Sequence, residues 1–363
     1  MTMSFGSDHY VPVLKLKRAE AKAMALLDAS VRAALTPLFE VVELGGDDDD
    51  DDDANDAQDT LGQHIERAAG YLTEVVEKGK VKQCFLECRS ISSGGSAAVR
   101  ALFERINGLD AWCVPVTGMS RPDDGTVELA RESGSGIAIR LTRDDLRAGR
   151  VKRELLSWVK THALSPESVD VIMDLGAVAD MVAEGVEAEA DRFLAALPTP
   201  RAWRTLTMSA VAFSIGGVET NSNVYKERLD WRAWREHAHA GRSSLLRLPT
   251  FSDGGIQHPR GVENIPPQIL NNFAPTVRYA TEDDWLVIKG VGRQASPHKD
   301  QFPAMASQLI NNPRFMGASH CKGCADAERA AQGKPNLGGQ EVWLRLGAIH
   351  HLTLAVAQLA ALP

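Results

Sequence analysis

The chain has 363 residues, 44% of them hydrophobic, with a mean hydropathy of -0.19 and a formal net charge of -8. That composition supports a large buried core, and no stretch approaches the roughly 20 consecutive apolar residues of a membrane-spanning helix. Seven of the 48 acidic residues form one run, Asp47 to Asp53. Without it the chain is nearly neutral, so a nucleic acid would have to be held by a local positive patch rather than a broad basic surface.

The polar start, MTMSFGSDHY, has no basic segment followed by an apolar one, which predicts a protein that stays in the cytoplasm. Eight short apolar runs follow: Val11 to Lys17, Thr36 to Glu43, Gln83 to Arg89, Trp112 to Gly118, Gly136 to Leu141, Val169 to Leu175, Trp203 to Ser209 and Ser244 to Thr250. Their Val, Ile, Leu and Phe content and short length suit buried parallel strands. Helical periodicity fills most of the gaps, at Arg18 to Ser30, from Thr60 to Gly79, and at Ser96 to Asn107, Asp144 to His162 and Glu187 to Ala196. A further helix is expected over Tyr225 to Gly241. Five cysteines, three of them (Cys84, Cys88, Cys113) inside predicted strands, argue against a disulfide framework.

This alternation predicts an α/β fold, a (β/α)8 barrel of TIM type, formed by residues 1–363 as a single barrel domain. Three additions are expected. Residues 45–58 carry the aspartate run, whose like charges repel and predict a solvated, mobile loop. Residues 250–300 hold a loop and a β-hairpin, read from TVRYA and WLVIKG on either side of TEDD. Residues 313–363 form a C-terminal extension with a long last helix.

In such a barrel the C-terminal ends of the strands converge on one face. Polar residues expected there are Lys15, Lys17, Glu40 or Glu43, Glu87, Arg89, Thr117, Arg140, Asp174, Thr207 or Ser209, and Arg247. Glu87, Asp174 and Glu40 are the candidate acid-base groups, able to hold a divalent metal through oxygen. Lys15, Lys17, Arg89, Arg140, Arg247 and Arg278 are candidate anion-binding residues, joined by Lys289 and Arg293 if the hairpin covers the mouth. The competing reading is an ion-pair network that fills the top of the barrel. No phosphate-binding, dinucleotide-binding, nucleophile-elbow or HExxH motif occurs.

Near the C-terminus, SHCKGC places His320 beside Cys321 and Cys324, and GAIHHLTLAV adds His350 and His351. A tetrahedral zinc site is one reading. The sequence favours the other, in which the histidines cap or pack the last helix, because a single CxxC lacks the paired spacing of zinc modules; no residue is assigned to a metal on spacing alone.

Several segments together resemble the bacteriophage beta protein family: YVPVLKLKRAEAKAMALL with TPLFEVVE, VRYATEDDWLVIKG with QFPAMASQL, FMGASHCKGCADAERAA, and VWLRLGAIHHLTLAV. In that comparison Cys324 matches the family pattern, while SHCKGCAD lacks the acidic residue of the Ser-x-Gly-Asp-like stretch before it and Cys321 stands outside the pattern. The resemblance implies a cytoplasmic protein of mobile-element or phage-defence context, acting in phage-host conflict. Joined to the charged mouth, it leads to the expectation of an anionic nucleotide-like or nucleic-acid ligand that is bound or hydrolysed there. The alternative is a non-catalytic sensor or scaffold that recognises a phage component and signals to a protein partner from the same operon. No membrane partner is expected.

Overall fold

The computed structural model describes residues 5–43, 60–121, 125–241, 247–257, 273–292 and 294–362; the aspartate run and Arg293 lie outside them. Eight strands run parallel: β1 (Val13–Lys15), β2 (Leu38–Glu40), β3 (Gln83–Glu87), β4 (Trp112–Thr117), β5 (Ile137–Thr142), β6 (Val169–Ala177), β7 (Thr205–Val211) and β9 (Thr250–Asp253). They pair in that order, and Tyr10 closes the circle by bridging to both Leu35 and Phe251. The fold is the expected (β/α)8 barrel.

Alternation along the strands divides the core in two. Val11, Val13, Leu38, Phe85, Val114, Val116, Ala138 and Ile172 fill the inside of the barrel. The side chains between them in sequence, such as Leu14, Phe39, Leu86, Ile139 and Met173, point outward into a larger core under the helices. Each such large apolar side chain contributes roughly 1.5–3 kcal/mol by leaving water.

The helices follow the sequence signals closely where those signals are local. Thr60 caps α3 (Leu61–Glu77, the third helix after α1, Arg18–Leu26, and α2, Ala29–Ala33) in a reciprocal capping box with Gln63. Its buried positions, Ile65, Ala68, Ala69, Leu72, Val75 and Val76, recur at helical spacing. Next come α4 (Gly95–Ile106) and α5 (Thr126–Ser133). The helix expected over Asp144 to His162 is two helices, α6 (Arg143–Arg147) and α7 (Arg150–Thr161), because Gly149 takes φ 70° between them. The helix α8 (Ala183–Ala196) precedes β7.

Two further elements differ from the expectation. The eighth barrel strand begins at Thr250, where the predicted run ended, so Arg247 precedes the strand instead of lying within it. Tyr225 to Glu227 belong to a strand, β8 (Ser222–Glu227), and the helix α9 starts at Leu229 and ends at Gly241. β8 pairs antiparallel with β11 (Asp284–Lys289), which pairs antiparallel with β10 (Thr276–Ala280), so the expected hairpin is two-thirds of a three-stranded sheet. Over this sheet lie α10 (His298–Ile310), α11 (Lys322–Ala331) and the terminal helix α12 (Gln340–Ala360), which packs against both β10 and α1. Trp231 and Trp234 on α9 are core residues stacked 5.8 Å apart, and Trp343 stacks on Phe302 to seat α12. Among the described residues no helix is long and apolar enough to cross a membrane.

Candidate functional site

Strand register brings the expected charges together. Lys15 pairs with Glu40 across β1 and β2, and Glu40 pairs with Glu87 across β2 and β3, so the three stand side by side on the inward face. Arg140 enters from β5 and Asp174 from β6. The Arg140 guanidinium donates from Nη1 to Glu40 Oε1 at 2.6 Å and from Nε to Asp174 Oδ2 at 2.8 Å, and lies 3.8 Å from Glu87 Oε2. Lys15 Nζ is 2.8 Å from Glu40 Oε2.

A residue from a loop completes the cluster. Arg121, four residues beyond the end of β4, donates both terminal nitrogens to the two Glu87 oxygens at 2.6 Å each. Glu87 Oε1 also accepts the Arg89 backbone N–H at 3.1 Å, and Asp174 Oδ1 accepts that of Gly176 at 2.8 Å. Both oxygens of each of the three carboxylates therefore have a donor. Three cations meet three carboxylates, so the cluster is neutral as a whole. Burial alone would push the Glu40 carboxyl up, but the Arg140 and Lys15 charges outweigh it and hold that carboxyl down at about 2. Arg140 is pushed the other way: burial opposes its charge, and the surrounding carboxylates more than restore it.

The opposite wall of the barrel is lined with hydroxyls. Thr207 pairs with Ile172 and with Thr250, and Ser209 with Asp174 and with Ser252, which puts these side chains on the inward face with the ionic cluster. Thr207, Ser209, Thr250 and Ser252 are buried, and among the described residues the hydroxyls of Thr207, Ser209 and Ser252 have no partner. An unpaired buried hydroxyl costs about 1–3 kcal/mol, so such a wall suits bound water or a ligand rich in hydrogen-bonding groups.

Of the other expected mouth residues, Arg89 is exposed at the rim and Lys17 is buried at the start of α1, where its charge acts on Glu20. Glu43 is exposed, and Thr117 follows an inward valine and so points away from the barrel interior. Arg247 is at the other end of the barrel, donating to the carbonyls of Trp203 at 2.5 Å and Arg204 at 3.2 Å below β7. Arg278 donates to the Ile256 carbonyl at 2.8 Å in the loop after β9, and burial lowers it to about 10 despite nearby Glu20. Lys289 donates to the Val218 carbonyl at 2.7 Å. The hairpin thus contributes Arg278 to the edge of the mouth, under the β9 loop, and Lys289 to its own supporting loop.

A family model, that of the Beta protein family, matches residues 10–357, nearly the whole chain. The chain belongs to the Beta protein family. No protein of curated function matches it.

Two further clusters in this Beta protein family member join segments far apart in sequence. Tyr10 donates to Asp253 Oδ1 at 2.6 Å, and His351 Nε2 lies 2.8 Å from Asp253 Oδ2 and 3.1 Å from the Tyr10 hydroxyl. All three are fully buried, and they tie the barrel seam to α12. The second cluster gathers His320, Cys321, Cys324 and His350 where α11 meets α12. Cys324 Sγ lies 3.5 Å from Cys321 Sγ and 3.3 Å from His350 Nδ1. Among the described residues, the group of His, Cys, Asp and Glu side chains close enough to share a metal ion is His320, Cys321 and His350, with the mouth carboxylates instead occupied by arginine and lysine.

Proposed function

We propose that this Beta protein family member binds an anionic, nucleotide-like ligand at the barrel mouth and acts in phage-host conflict as a ligand-recognising protein. The observation that carries this reading is the meeting of charged side chains from five strands with a wall of unpaired buried hydroxyls on the same inward face. Arginine forks match phosphate oxygens as they match carboxylates, and serine and threonine hydroxyls suit the sugar. Because the cluster is neutral, a phosphate would enter by exchanging with a carboxylate at Arg121 or Arg140, with Arg89 at the rim adding positive charge. Nucleic acid is the larger ligand with the same chemistry.

Hydrolysis finds less support than binding. A general base works best with a pKa near the operating pH, and Glu40 is held far below it while Glu87 is clamped on both oxygens. That engagement supports the second reading, a non-catalytic sensor that passes ligand binding to a partner protein. A thermal-shift screen of the full chain against nucleoside mono-, di- and triphosphates and short RNA and DNA oligonucleotides, with product analysis of each mixture, tests the proposal. A ligand that raises Tm without being consumed supports recognition; turnover moves the reading to an enzyme; no shift from any member of the panel overturns it.

A further inference from the structure

The geometry points to a structural zinc site at which Cys321, Cys324, His350 and His320 hold one Zn²⁺ and lock the terminal helix to the rest of the fold. Zinc bonds of about 2.3 Å to sulfur and about 2.0 Å to nitrogen, arranged tetrahedrally, set donors roughly 3.4–3.8 Å apart. The two sulfurs are 3.5 Å apart, and His350 Nδ1 is 3.3 Å from Cys324 Sγ and 4.0 Å from Cys321 Sγ. Neither cysteine is in a disulfide.

The protonation pattern of His350 is fixed by its other nitrogen. Nε2 lies 2.7 Å from the Ala280 carbonyl, which can only accept, so Nε2 carries the proton and Nδ1 presents its lone pair to the two sulfurs. A histidine ligand held through its far nitrogen by a backbone carbonyl is the usual arrangement around a bound metal. Tyr279 stacks on the same ring at 3.8 Å and keeps it in plane. His320 brings a ligand nitrogen within 4.8 Å of Cys321 Sγ and of a ring nitrogen of His350, and its buried Nε2 has no partner among the described residues.

The CxxC loop is built like a metal-binding turn. Cys321 is the N-cap of α11, and its sulfur accepts the Cys324 backbone N–H at 3.3 Å, a bond that favours a thiolate. Gly323 lets this turn approach α12, since a Cβ there would lie 2.4 Å from the Leu346 carbonyl. Cys321, Cys324 and His350 are buried, and the two sulfurs and His350 Nδ1 face one another, with the Tyr279 hydroxyl 3.6 Å from Cys324 Sγ. On binding, Zn²⁺ replaces the thiol protons, which pass to solvent, and the metal joins α11 to α12 beside β10.

The test is the metal content of the full-length protein purified under reducing conditions without chelator. About one zinc per chain is expected, exchangeable for Co²⁺ with the charge-transfer absorbance of a cobalt-thiolate bond. Cys321→Ser/Cys324→Ser should lose the zinc, and His320→Asn, altered at the most exposed ligand, should release it to a chelator faster than the parent chain. A parent chain that neither carries zinc nor takes it up from Zn²⁺ alone, or a double cysteine variant that keeps its zinc, overturns the proposal.

Discussion

Arg140 on β5 reaches Glu40 on β2 at 2.6 Å across the barrel mouth, although β3 and β4 stand between them in the sheet. The contact spans the inside of the barrel and makes one guanidinium the centre of a cluster that draws on Glu40, Glu87 and Asp174. Removing the guanidinium leaves three carboxylates with two cations, Lys15 on Glu40 and Arg121 on Glu87, and takes from Asp174 its ion-pair partner in a site with little access to water. Arg140→Met is therefore expected to cost about 3 kcal/mol, as for the loss of one partner from a buried ion pair. Urea unfolding at neutral pH measures it. The double variant Arg140→Met/Glu40→Gln should cost less than the two single changes summed, and simple additivity would show that the two residues are not coupled.

The same cluster predicts how stability falls in acid. Unfolded glutamate titrates at about 4.3, and folded Glu40 at about 2. The folded state binds this proton less readily, so the ionised carboxylate contributes its stability in full above about pH 4.3 and loses it as pH falls toward about 2. The gap in unfolding free energy between the parent chain and Glu40→Gln should therefore shrink steadily through that window. A gap that is constant from neutral pH down to about pH 2.5 would contradict the ion-pair assignment.

The hydroxyl wall behaves differently from the charges. Among the described residues Thr207, Ser209 and Ser252 satisfy no protein group, so Thr207→Val, Ser209→Ala and Ser252→Ala should each leave stability unchanged, where water satisfies the hydroxyl, or raise it by up to about 1–3 kcal/mol. Thermal unfolding of the three variants checks this. A large loss in any of them would mean that its hydroxyl is bonded within the folded chain, and would remove that residue from the ligand site.

Tyr10 and Asp253 close the barrel seam. Tyr10→Phe removes the hydroxyl that donates to Asp253 at 2.6 Å and lies 3.1 Å from His351 Nε2, and leaves the stacking on Phe251 in place. A hydrogen bond to a buried charge is worth about 1.5–3 kcal/mol, and the loss should fall in that range. Hydrogen exchange offers a local readout, because the terminal helix bearing His351 depends on the same carboxylate and should lose protection along with the seam.

Much of the mouth is legible from strand periodicity. Lys15, Glu40, Glu87, Arg140 and Asp174 lie at the ends of short apolar runs, and alternation in those runs fixes which side chains turn inward. Arg121 escapes because it lies in a loop, where no period marks the direction of a side chain. The eighth strand is displaced from its predicted run because its inward residues are Thr250 and Ser252, so the true strand is more polar than the Leu-rich segment before it. β8 is hidden for a related reason: SNVYKE alternates between half-buried and exposed positions at the edge of a small sheet and reads as loop and helix. Tyr10, Asp253 and His351 lie 243 and 98 residues apart, and no local pattern could have joined them. His350 and the two cysteines were visible as residue types, but their meeting depends on how α11 docks on α12.

The most direct test of the mouth as a ligand site is calorimetric titration of the full chain with nucleoside phosphates, comparing the parent protein with Ser209→Ala/Ser252→Ala. Saturable binding of about one ligand per chain is expected, with affinity lowered about tenfold or more in the variant, equivalent to about 1.4 kcal/mol. Binding of equal strength in both proteins, or none in the parent, would contradict it.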